Sequence, residues 1–259
     1  MEPWKLKLGL LVLILVALLA LMFWWARRQE HKQALDHATE LEKFAASLGG
    51  TLGLAPAWSA DLCRPFAREY GNAIGWLRRA SEARFDHTLD FERHGWRVRV
   101  TEASIELNSA STQDKVVTHV EHRIEVATAA LPPLKLAISS LGEGRAARRW
   151  VTEVPQSVAS GPQPQWHELR LPAGLQELYL AASADPHRAT AMFTPALVER
   201  LQGESQMGNL RTLTVEAGIS YSVSAGPIEP KLVLPAIDAI IAVLERIPGA
   251  QPRSSAPTA

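Results

Sequence analysis

The chain has 259 residues, with 27 lysines and arginines balanced by 27 aspartates and glutamates, and a single cysteine. Such a balance provides no global basic field to recruit nucleic acid and no acidic excess of the kind that keeps a chain unfolded. The lone Cys63 excludes an intramolecular disulfide framework.

The most constrained stretch is Leu8 to Ala26, LGLLVLILVALLALMFWWA, which carries no charge. At about 1.5 Å per residue it reaches across a hydrocarbon core of about 30 Å. Trp4 lies before it and Trp24 and Trp25 close it, which suits the two membrane–water interfaces. Lys5 and Lys7 would also fit a signal peptide, but the apolar run is long and ends in Phe23-Trp24-Trp25-Ala26-Arg27-Arg28, without small residues for cleavage. The expectation is an uncleaved single-pass membrane anchor, with the lipid bilayer as its partner through Leu8–Ala26. Basic residues flank both ends; the Arg27-Arg28 pair against the membrane favours a cytoplasmic C-terminal region.

From Arg27 to Leu48 the apolar positions Leu35, Ala38, Leu41, Ala45 and Leu48 keep helical spacing, so residues 27–50 read as a helical stalk stopped by Gly49-Gly50. Residues 51–153 read as an α+β region. Within it, Asp61 to Ala83 carries Leu62, Phe66, Tyr70, Ile74 and Leu77 at near four-residue spacing, which predicts a helix over this stretch with the basic pair Arg78-Arg79 solvated towards its end. His94-Gly95 reads as a turn leading into the alternating strand Trp96-Arg97-Val98-Arg99-Val100. Ile105 and Leu107 have the opposite parity to Val98 and Val100, which requires a bulge or bend near Glu102-Ala103. Val116 to Val126 is a clear strand, with Val116, Thr118, Val120, His122, Ile124 and Val126 on one face. Val117, His119, Glu121, Arg123 and Glu125 make the other face mainly polar, as in an antiparallel sheet with one buried side.

His119 and His122 point to opposite faces of such a strand, so they do not form a metal pair, and no metal or cofactor is expected. His122 reads as a hydrogen-bonded core histidine. Leu131-Pro132-Pro133 breaks the ladder before a short strand, Leu134 to Ile138. Gly142-Glu143-Gly144-Arg145 with Arg148-Arg149 lacks phosphate-loop spacing and reads as a solvated basic turn. Residues 154–165, VPQSVASGPQPQ, form a linker or long loop.

Residues 166–248 read as a β-α-β-β-α region. Strands at Trp166–Leu171 and Glu177–Ala182 precede two short helices started by Asp185-Pro186 and Thr194-Pro195, the second over Ala196 to Leu201. A hairpin turns at Ala217-Gly218, and an apolar helix spans Pro235 to Ile247. Residues 249–259 read as a disordered tail. The fold class is α+β: a transmembrane helix and stalk, then a mainly antiparallel sheet covered by helices near 61–83, 186–201 and 235–247.

The stretch LYLAASADPHRATAMFTPALVERL, with the later LTVEAGISYSVSAG and closing apolar helix, resembles uncharacterised bacterial single-pass membrane proteins. HRIEVATAALPP, His122 to Pro133, resembles actinobacterial members. The resemblance implies an N-terminal anchor and a mixed α/β region, and brings no catalytic residues.

Three functional readings follow. The first is a non-enzymatic interaction or adaptor module with an unknown protein partner. The second is a membrane-bound hydrolase assembled from distant residues such as Asp90, Glu92 and His94, since no GxSxG, HExxH or CxxC occurs. The third is peripheral binding to anionic lipid through Arg78, Arg79, Arg145, Arg148 and Arg149. No catalytic residue is assigned.

Overall fold

The computed structural model describes residues 3–53, 78–109, 116–139, 165–216 and 218–252, with 3–12, 30–31, 78–86, 103–109 and 116–119 described as backbone. The chain divides into two compact units, Met1–Phe44 and Ala45–Ala259.

Helix α1, Pro3–Ser47, carries the anchor sequence into the stalk without a break. Pro3 stands at its start, where a missing N–H leaves no bond unmade. From Leu13 to Trp25 every large apolar side chain is 52–81% exposed. Among the described residues no helix is long and apolar enough to cross a membrane; of the expected span Leu8–Ala26, residues 8–12 are described as backbone only. The predicted stop holds. Gly49 takes φ 66°, Gly50 N–H donates to Ala45 O at 2.9 Å and Gly49 N–H to Ala46 O at 3.1 Å, the paired bonds of a Schellman cap.

The second unit is built on a nine-stranded sheet whose strand pairs are all antiparallel. The strands are β1 (Thr51–Gly53), β2 (Arg78–Arg93), β3 (Trp96–Ser109), β4 (Val116–Ala127), β5 (Leu134–Ile138), β6 (His167–Glu168), β7 (Tyr179–Ser183), β8 (Thr212–Glu216) and β9 (Ile219–Ala225). Their order is β1-β2-β3-β4-β9-β8-β5-β7-β6. Strands from either side of residues 154–165 therefore interleave, β8 and β9 lying between β4 and β5.

The helix predicted over Asp61–Ala83 is corrected where it is described. Residues 78–83 open β2, with Arg78 opposite Ser109 and Arg79 opposite Asn108, so the basic pair lies in a strand and not at a helix end. The long β2–β3 ladder satisfies those backbone groups and overrides the four-residue apolar spacing. Residues 61–77 lie outside the described residues. The expected turn is present: Arg93 pairs with Trp96, and His94 and Gly95 take φ 52° and 78°, as a two-residue hairpin turn requires.

The bulge expected in β3 near Glu102-Ala103 is absent, and the irregularity lies in β2 instead. β3 keeps one register with β4 from Val98 through Asn108. On its other side the β2 register shifts between Phe85, opposite Ala103, and His87, opposite Glu102. Asp86 is thus the extra residue, directly across from Glu102-Ala103.

Helices α2 (Pro186–Thr190), α3 (Pro195–Met207) and α4 (Pro230–Leu244) follow the predicted starts in part. Asp185 accepts from Arg188 N–H at 3.2 Å and Thr194 from Leu197 N–H at 3.2 Å, each before a proline in the first turn. α3 runs past Leu201 to Met207 and ends at left-handed Gly208. α4 begins at Pro230, earlier than the expected Pro235, because Pro230 itself occupies the first turn; Pro235 lies inside the helix. α4 packs on β4 and β9, α3 on α4, and α2 on β7.

Register places Leu89, Val100, Ile124, Leu213, Leu136 and Ala181 on one sheet face, with buried Ile237, Ile240, Ile241 and Leu244 supplied by α4. This is the core, and its apolar burial is the main favourable term in folding. The tail expected from residue 249 begins instead as an ordered return: Ala129 N–H donates to Gln251 O at 2.9 Å and Thr128 bridges Pro252. Residues 253–259 lie outside the described residues.

Candidate functional site

Opposite the helices, the sheet carries one cross-strand row of polar residues. Following the register from β2, Asp90 faces Arg99, Arg99 faces Glu125, Glu125 faces Tyr221, Tyr221 faces Thr214, and Thr214 faces Lys135. The face expected to meet water is buried here: Arg99 is 1% exposed, and Arg123, Glu125, Glu121, Thr214 and Lys135 are buried with it. That corrects the one-sided reading of β4: from Glu121 to Ala127 polar residues alternate with apolar ones, yet neither set faces solvent.

These charges are matched to each other. Arg99 donates to both Asp90 oxygens, at 2.8 and 3.0 Å, a bidentate geometry. Arg123 Nε lies 2.7 Å from Glu125 Oε1, and its guanidinium stacks on the Tyr221 ring at 3.7 Å from the centroid. Lys135 lies over the Trp166 ring at 4.7 Å, and Trp166 packs on Ala137 and Ala182. Burial pushes the Asp90 carboxyl above its ordinary value, against the smaller opposing pull of Arg99 and Arg97.

Two polar clusters lie on the helix side. Arg93 grips Asp238 of α4 at 2.5 and 2.7 Å, and His94 Nε2 lies 3.5 Å from the same carboxylate. The Arg93 hydrogen bond holds Asp238 below its ordinary value and raises Arg93 in return. In α3, fully buried Glu204 pairs with Arg200, and burial pushes its carboxyl up. The Tyr179 hydroxyl donates to Leu201 O at 3.0 Å; burial, with Glu204 adding, pushes the phenol far above its ordinary value.

The link into α4 is clamped from the sheet. Ile228 N–H donates to Glu102 Oε2 at 2.7 Å, and His122 Nδ1 donates to Gly226 O at 2.9 Å. His122 is thus the hydrogen-bonded core histidine that the strand pattern predicted. A groove of about 440 Å³ follows β6 and β7, lined by Glu168, Arg170, Gln176 and Tyr179 among apolar neighbours.

The residues suggested for a hydrolytic site do not converge. Asp90 and Glu92 share strand parity on the charged-row face, whereas His94 sits in the hairpin turn beside Asp238. Asp238 is itself 41% exposed and already held by Arg93, so among the described residues His94 has no buried carboxylate partner to orient it as a general base. Arg78 and Arg79 are placed by backbone register alone. Arg145, Arg148 and Arg149 lie outside the described residues, as does the His119 side chain.

No protein-family model matches the chain, and no curated protein matches it. Among solved structures, the crystal structure of the mycobacterial trehalose monomycolate transport factor A, TtfA, is similar at a TM-score of 0.44 and 10% identity, covering 83% of this chain and 98% of that one. At that TM-score the likeness leaves function to be read from this chain's own residues.

Proposed function

We propose that this chain is a membrane-anchored, non-enzymatic interaction module, held in a bacterial cell membrane by the N-terminal part of α1 with its larger unit on the cytoplasmic side. The observation that carries this reading is the exposure of every large apolar side chain from Leu13 to Trp25. Burying one such side chain is worth about 1.5–3 kcal/mol, so a run exposed all round the helix is stable in lipid and poorly tolerated in water. Orientation follows Arg27 and Arg28 directly after the run.

The module reading draws on how the charges are used: Asp90, Arg99, Arg123 and Glu125 are committed to partners within the sheet. In this setting Arg78, Arg79, Arg145, Arg148 and Arg149 are candidates for contact with acidic headgroups, measured as salt-sensitive attachment to phosphatidylglycerol vesicles.

A Ser254→Cys, Cys63→Ser variant tests the reading in cells with a membrane-impermeant maleimide. Labelling only after lysis is expected, with the chain in the membrane fraction; labelling of intact cells overturns the orientation, and recovery in the soluble fraction overturns the anchor. Turnover of an ester or phosphoester lost on Asp90→Asn or His94→Ala, with folding retained, would replace the module by a hydrolase.

A further inference from the structure

We propose that the phosphate layer of the bilayer lies at the Trp24–Arg28 turn of α1 and that the Arg28 guanidinium binds lipid phosphate there, an inference that rests on the anchoring reading.

Polarity changes abruptly along one uninterrupted helix at this turn. From Leu13 to Ala26 no residue carries charge, and Arg27 and Arg28 follow at once. Phe23, Trp24 and Trp25 are all exposed, Phe23 by 81%. Indole rings favour the interface, where their apolar body meets acyl chain and their N–H meets polar groups. The spacing agrees: Leu8 to Arg28 is twenty steps of a helix that rises about 1.5 Å per residue, about the 30 Å thickness of a hydrocarbon core.

The geometry singles out Arg28. Its guanidinium carbon lies 5.2 Å from the centroid of the Trp24 ring, one helical turn back. At that distance the ring attracts the cation, and the exposed guanidinium fork keeps N–H groups to donate. That fork matches the oxygens of a phosphodiester, while the ring beneath restricts where the fork can go. Arg28 is exposed, as a headgroup contact requires. Trp24 and Arg28 together therefore fix how far α1 enters the leaflet.

The test uses the full chain with isotope-labelled arginine, reconstituted in phosphatidylcholine–phosphatidylglycerol vesicles and measured by phosphorus–nitrogen dipolar recoupling. Lipid phosphorus is expected to dephase a guanidinium signal that disappears in Arg28→Gln and persists in Arg27→Gln. In parallel, a nitroxide on Leu21→Cys in the Cys63→Ser background is expected to relax with oxygen, and one on Gln29→Cys with a water-soluble agent. Unchanged dephasing in Arg28→Gln, or none in the parent, while the Leu21 label still reports hydrocarbon, overturns this inference and leaves the anchor standing. A Leu21 label that relaxes with the water-soluble agent overturns both.

Discussion

Arg93 and Asp238, separated by 145 residues, form a bidentate pair of 2.5 and 2.7 Å that fastens the end of β2 to the middle of α4. The contact lowers the Asp238 pKa, so its stabilisation is present above the ordinary value of 3.8 and is lost as pH falls through the lower folded value. Asp238→Asn is expected to lower Tm at neutral pH. The difference from the parent should close as pH drops below 3.8, and a difference that stays constant into acid would show that the pair contributes nothing through ionisation.

The buried row predicts a contrast between breaking a pair and removing it. Arg99→Met leaves Asp90 partly buried without its hydrogen-bonded partner and with only the weaker pull of Arg97, and should cost about 2–4 kcal/mol, discounted because Asp90 keeps some solvent contact. Asp90→Leu with Arg99→Met removes both charges and should recover much of that loss. Urea unfolding of the single and double variants measures the coupling. Additive losses would mean that the two side chains act independently.

Glu204 has the opposite sign of linkage to Asp238. Burial raises its folded pKa above 4.5, so its contribution is complete below that value and erodes as pH rises through the folded pKa. Glu204→Gln keeps the shape and removes the ionisation. The parent should lose Tm relative to this variant as pH rises above 4.5, whereas parallel curves would contradict the assignment.

Gly50 lies where β1 meets β2. A Cβ there would stand 2.6 Å from Asp90 O and 2.7 Å from Phe91 Cβ, whereas at Gly53 the nearest atom is Thr88 O at 4.0 Å. Gly50→Ala should therefore destabilise by about 1–3 kcal/mol through forced backbone movement, and Gly53→Ala by much less. Equal losses in chemical denaturation would show that the β1 edge is loose enough to absorb the methyl group.

Elements with local chemistry were legible in the sequence. Gly49-Gly50, Asp185-Pro186, Thr194-Pro195 and His94-Gly95 each state a stop, cap or turn within a few residues, and the structure places all four as expected. The start of β2 was misread because Leu62 to Leu77 supplied a helical period extended into Ala83, while the alternation of Leu89, Phe91 and Arg93 opposite Trp96, Val98 and Val100 becomes visible only once the hairpin is paired. The bulge inferred from the parity of Ile105 and Leu107 is not in β3, which holds one register with β4 from Val98 to Asn108; the extra residue, Asp86, belongs to β2 and is visible only from the pairing.

The polar row was the least legible part. Arg99, Glu125 and Lys135 lie on separate strands, and their adjacency depends on β9 and β8 inserting between β4 and β5. On its own strand each reads as a solvent-facing residue. Only the register brings Asp90, Arg99 and Glu125 into one line and makes their burial affordable through mutual pairing.

Membrane anchoring requires that the exposed apolar run of α1 sit in lipid. It is tested most directly by alkaline carbonate extraction of bacterial membranes carrying the full chain, compared with a Leu15→Arg, Leu19→Arg variant. The parent is expected to stay with the membrane pellet until detergent is added, while the variant is released with the near-ultraviolet circular dichroism of a folded second unit. Release of the parent by carbonate, or equal retention of both proteins, would contradict it.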